Sequence, residues 1–145
     1  MAPLQKRALY GLVIGICLAV AVLALFLLKS GVTRFDEDQG FRLLIDILWI
    51  SGLVTPLVLF WPITQSRAKF DERDKIIMDR SSRVQWMAII FSLAAWVIFL
   101  SETYHDQRLV PVTFLYIIFI SILIVSTLAQ SLGILIGYWR MNRNG

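Results

Sequence analysis

Phe70-Asp71-Glu72-Arg73-Asp74-Lys75-Ile76-Ile77-Met78-Asp79-Arg80-Ser81-Ser82-Arg83 is the one long polar insertion between apolar blocks, and its reading decides the fold. Arg73, Lys75, Arg80 and Arg83 offset Asp71, Glu72, Asp74 and Asp79, so the stretch is charged yet nearly neutral. Asp71, Lys75, Asp79 and Arg83 recur with alternating sign at helical spacing. On a helix they form a stripe of acid–base pairs, each step worth a few tenths of a kcal/mol. A second stripe, Phe70, Ile77, Val84 and Phe91, runs on into the next apolar block. Together they predict a helix that projects beyond a bilayer by about three turns, roughly 20 Å.

On either side the chain reads as membrane. It has 145 residues, 58% of them hydrophobic, with a mean hydropathy of +0.73. That exceeds the apolar share of soluble domains, about 45–50%. The charges are gathered in the connections, as lipid requires. A net charge of +4 marks the flanks of membrane helices better than a nucleic-acid surface, because no soluble domain is left to carry a basic patch. Cys17, the single cysteine, has no partner for an intrachain disulfide.

The expected class is all-α, one polytopic domain with four transmembrane helices: about 8–28, 43–63, 72–101 including a cytosolic extension over 72–83, and 110–138. Ala19-Val20-Ala21 looks like a signal-peptidase site, but Val22 to Leu28 stays apolar beyond it, which favours a retained first helix. Pro56 should kink the second helix and Pro62 stop it, while Pro111 suits the first turn of the fourth. Lys and Arg are concentrated in the N-terminus, the central segment and the tail. This places both termini and the 72–83 extension in the cytoplasm of a prokaryotic inner membrane. Tyr10, Trp61, Trp86, Tyr138 and Trp139 fall at the corresponding interface as an aromatic belt.

Helices one and four carry small-residue stripes, Gly11, Gly15, Ala19 and Ala129, Gly133, Gly137. Run antiparallel, they pair Gly11 with Gly137, Gly15 with Gly133 and Ala19 with Ala129, predicting a close contact within or between chains. Ser51 and Thr55 on helix two, with Thr127, Gln130 and Ser131 on helix four, are candidates for an intramembrane polar site. The plainer reading of these groups is interhelical hydrogen bonding. Asp46, the one acid inside a span, has Arg42 one turn before it and reads as a paired interfacial carboxylate.

Chemistry-bearing motifs are sparse. His105, beside Glu102 and Asp106, is the lone histidine, so two axial haem ligands cannot come from this chain. The lone cysteine excludes a quinone-linked dithiol enzyme. No metalloprotease, hydrolase-elbow or phosphate-loop motif is present. The expectation is a non-enzymatic protein with no cofactor and no metal. Its partners are membrane lipid and another protein chain, either a second copy or a membrane or cytosolic partner. Asp71, Glu72, Arg73, Ile76, Ile77 and Met78 form the candidate partner-binding face, since Ile76-Ile77-Met78 is an apolar cluster set amid charge outside the membrane. Another reading is a small transporter or a lipid- or hydrophobe-binding protein, dimeric around Ser51, Thr127 and Gln130.

At Asp71, Glu72, Arg73 and Ile77 the chain resembles a family of small prokaryotic membrane proteins of unknown function, with four helices and a cytosolic Asp-Glu-Arg-x-x-x-Ile motif between helices two and three. The resemblance implies the four-helix layout and an accessory or regulatory role. It implies no catalytic residues.

Overall fold

The structure, a computed structural model, describes residues 2–28, 39–65, 71–105 and 109–143. Four helices make it up: α1 Pro3–Leu28, α2 Gln39–Gln65, α3 Glu72–Thr103 and α4 Thr113–Arg143. An apolar run in lipid must satisfy its own backbone N–H and C=O groups, and a helix does so within the segment. Phe70 and Asp106 lie outside the described residues.

The helix ends differ from the sequence reading for local reasons. α1 begins at Pro3, several residues before the apolar run, where a proline's missing N–H costs nothing. α2 runs through Pro62 to Gln65. A proline removes one hydrogen bond and adds a local clash, but an apolar setting offers the backbone no alternative partner, so the helix continues. Pro111 lies outside α4. Its carbonyl accepts the Phe114 N–H at 3.0 Å, and that of Val112 accepts the Leu115 N–H at 2.9 Å, so a tight turn leads into Thr113.

The start of α3 is built by the charged segment itself. Asp71 is extended (φ −63°, ψ 156°) and its carboxylate accepts the Glu72 N–H at 2.7 Å. Its carbonyl accepts from Asp74 and Lys75. Glu72 and Asp74 in the first turn place negative charge at the positive end of the helix dipole.

α4 is the hub. It packs most extensively against α3, then against α1, and touches α2 over a shorter length. α3 lies antiparallel to α4 along nearly its whole length, as pairs along the seam show. Ile77 meets Gly137 and Ser81 meets Gly133. Further along, Gln85 Nε2 donates to Ser126 Oγ at 2.7 Å and Trp96 Nε1 to Ser121 Oγ at 2.8 Å. The far end is closed by Phe114, which meets Trp96, Phe99 and Tyr104 ring to ring, Tyr104 at 5.4 Å between centroids.

Two buried apolar clusters sit near opposite ends of α4. One joins Leu4 and Ala8 of α1, Ile77 of α3 and Ile134 of α4, with Met78, Leu135 and Tyr138 packed around them. The other joins Phe41 and Ile45 of α2 to Ile120 of α4, flanked by Val22, Phe26 and Trp49. There Phe26 and Phe41 meet edge to face at 5.9 Å, tying α1 to α2.

Large exposed apolar side chains far outnumber the buried ones. On α3 they include Val84, Met87, Phe91, Val97 and Ile98; on α1, Val13, Val20 and Leu27. At about 25 cal/mol per Å² such a surface is unfavourable in water. α1, α3 and α4 are each long and apolar enough to cross a membrane, which suggests a multi-pass membrane protein. The heptad Ile77, Val84, Phe91 does not form one packed seam: Ile77 is buried, while Val84 and Phe91 are exposed. An α-helix drifts about 20° per heptad, enough to carry the later members off α4.

The antiparallel register is directly testable. A Cβ at position 137 stands 3.5 Å from Ile77 Cβ, within disulfide range. Ile77→Cys with Gly137→Cys, in a Cys17→Ser background, should form an intrachain disulfide on mild oxidation. Gel mobility with and without reductant reads the result, and dimers in place of a fast-migrating monomer would show the register to be wrong.

Candidate interaction site at the Leu4 end

The charged segment does not stand alone. The first turns of α3 lie against the last turns of α4, with the start of α1 wedged beside them. Ile77 is 2% exposed, held between Leu4, Ala8 and Ile134. Met78 packs on the same cluster. Asp74 accepts the Tyr138 hydroxyl hydrogen bond across the two helices. A charge-assisted bond of this kind contributes about 1.5–3 kcal/mol. Two of the three apolar residues expected as an outward face are therefore internal packing, and only Ile76 stays exposed. The reason lies in α4: it continues as helix to Arg143, which gives the α3 extension an apolar neighbour.

Asp71 and Glu72 also have structural duties, as N-cap and first-turn acid, while remaining exposed with Arg73. On the helix wheel Asp71, Glu72, Lys75 and Asp79 share the side turned away from Ile77. Among the described residues no ion pair within 4 Å joins Asp71, Lys75, Asp79 and Arg83, so the alternating stripe is a solvated face.

The small residues act, but not in the expected pairing. Gly15 faces Leu128 of α4, whereas Gly133 and Gly137 face Ser81 and Ile77 of α3. Gly11 is buried on α1, and Ala19 and Ala129 are half-buried. α1 and α4 do pack within one chain, with a glycine opposite a leucine. The stripe on α4 is turned toward α3, a rotation that matching spacings cannot reveal.

The intramembrane polar residues do not converge. Ser51 Oγ donates to Leu48 O at 2.7 Å, Thr55 Oγ1 to Ser51 O at 2.7 Å, and Thr127 Oγ1 to Leu123 O at 2.9 Å, each back along its own helix. Gln130 is buried on the face of α4 that carries Ser126 and Gly133, and the Ser131 hydroxyl is buried without a hydrogen-bond partner among the described residues. Where α1, α2 and α4 meet, Leu18, Val22, Trp49, Gly52 and Leu123 line an apolar crevice with no space for a water molecule. Asp46 accepts the Trp49 indole N–H at 3.0 Å, a partner one turn on that the sequence reading passed over. The cross-helix bonds from Gln85 and Trp96 were also missed. Both are single polar atoms on helix faces that look lipid-bound until α4 is in place.

Glycine substitutions should separate the two helix contacts. At Gly133 an added Cβ meets Ser81 Cα at 3.0 Å, a backbone atom, whereas at Gly15 it meets the end of the Leu128 side chain. Gly133→Ala should lower thermal stability in detergent by about 1–3 kcal/mol, and Gly15→Ala by clearly less. Ser131→Ala removes an unpaired buried hydroxyl and should leave stability unchanged or raise it by about 1 kcal/mol. Melting of the solubilised protein reads all three.

No family model, curated protein or solved structure matches this chain. Its function must be read from its own residues.

Proposed function

We propose that the chain is a non-enzymatic, four-span inner-membrane protein with both termini in the cytoplasm, acting as an accessory or regulatory component that docks a cytosolic protein partner. α2, at 27 residues, is long enough at about 1.5 Å per residue to make the fourth crossing. The excess of Lys and Arg at the Leu4 end supports the orientation. Exposed Tyr10, Trp86 and Trp139 suit an aromatic belt at that side.

One observation carries the docking role. The joined ends of α1, α3 and α4 make a packed platform whose α3 face, with Asp71, Glu72, Arg73 and Ile76, is exposed and turned away from the buried cluster. A short helix face with one apolar residue amid fixed charge suits recognition through charge pattern. The layout is of the kind that the Asp71-Glu72-Arg73 motif resembles.

Because Ile77 is internal, the test belongs on Ile76. Asp71→Asn combined with Glu72→Lys, Arg73→Glu and Ile76→Asp should abolish recovery of the co-purifying cytosolic chain from native membranes. Insertion, checked by carbonate extraction, should persist. Unchanged partner recovery would sink the docking reading. Labelling of Lys75→Cys (Cys17→Ser background) by an impermeant reagent on intact cells would sink the orientation.

A further inference from the structure

The seam between α3 and α4 has two flanks at the Leu4 end. α1 fills one with Leu4 and Ala8. The other is an open groove with about 1030 Å³ of water-accessible space, comparable to sites that take a sizeable small molecule. Arg73, Arg80 and Arg83 of α3 and Arg140 of α4 line it. Its floor is apolar, including Ile76, Val84, Leu132 and Ile136, with Gly133 and Gly137 at its base where α3 and α4 touch.

Among the described residues none of the four arginines is ion-paired with a carboxylate. No carboxylate is among the residues that line it: Asp74 is held by Tyr138, and Glu72 and Asp79, one turn from Ile76 and Arg83, border the groove without entering its lining. A groove with four guanidiniums and no facing acid is electrostatically incomplete. Guanidinium forks match phosphate oxygens in bidentate pairs.

We infer that this groove binds a phospholipid with an anionic headgroup. The arginines hold the headgroup phosphate, and the acyl chains descend over Val84 and Leu132 onto the exposed apolar surface of α3 at Met87 and Phe91. A free anion would leave the apolar floor uncovered, whereas a lipid covers floor and charge together. Basic pockets at the cytoplasmic ends of membrane helices suit this ligand class. The inference rests on the multi-pass reading but not on the protein partner.

The test uses full-length protein reconstituted in nanodiscs of phosphatidylcholine with one-tenth phosphatidylglycerol, followed by native mass spectrometry of retained lipid. Retained phosphatidylglycerol should exceed its bulk share by about fivefold, comparable to the contribution of one arginine near an anionic surface. Arg80→Gln with Arg83→Gln and Arg140→Gln should return it to the bulk ratio. A control removing as many charges outside the groove, Lys6→Gln with Lys75→Gln and Arg143→Gln, should keep the enrichment. Val84→Trp, which fills the apolar end and leaves the arginines in place, should reduce it. Bulk-ratio lipid on the unaltered protein overturns the inference, as does equal loss in the control. Displacement by millimolar inorganic phosphate with no effect of Val84→Trp also overturns it, in favour of a soluble-anion site. Failure to enter nanodiscs at all would count instead against the membrane reading.

Discussion

Gly133 and Gly137 leave almost no gap between α3 and α4: an added Cβ would stand 2.9 Å from Ser81 and 2.8 Å from Ile77. The other contacts follow from that approach. It brings Asp74 within reach of Tyr138, Gln85 of Ser126 and Trp96 of Ser121, and the Phe114 ring cluster closes the seam. In lipid, burial of apolar area gives little drive for helix association, so close van der Waals contact and a few interhelical hydrogen bonds must supply it. α1 and α2 then pack on the remaining sides of α4.

The seam also shapes both functional readings. With α1 on one flank, α3 is held as part of a platform, and its charged side is turned outward for the proposed partner. On the other flank the described residues that line the cleft belong to α3 and α4 alone, and Arg73, Arg80, Arg83 and Arg140 surround an apolar floor. The proposed protein face and the lipid groove adjoin on the same helix and share Arg73 and Ile76.

Much was legible in the chain because it depends on local rules. Apolar runs of bilayer length predict helices, and alternating charge at helical spacing predicts the α3 extension. What failed was rotation. Ile76, Ile77 and Met78 are consecutive, so they point in three directions, and only the position of α4 shows that Ile77 is inward and Ile76 outward. Gly133 and Gly137 advertise a close contact without naming its partner, and α3, whose Ser81 is small enough to sit against Gly133, took the place assigned to α1. The polar arc on α4 suggested a site, but Thr127 donates back to the Leu123 carbonyl and Ser131 has no partner among the described residues.

The amino-acid sequence by itself determined helix number, the long apolar surfaces and the charged projection, because hydrocarbon length and backbone hydrogen bonding act along one segment at a time. Which faces meet was decided only in the assembled bundle. An apolar residue in a membrane protein is equally content against lipid or protein, so side-chain type alone does not distinguish the two, and steric fit between helices does.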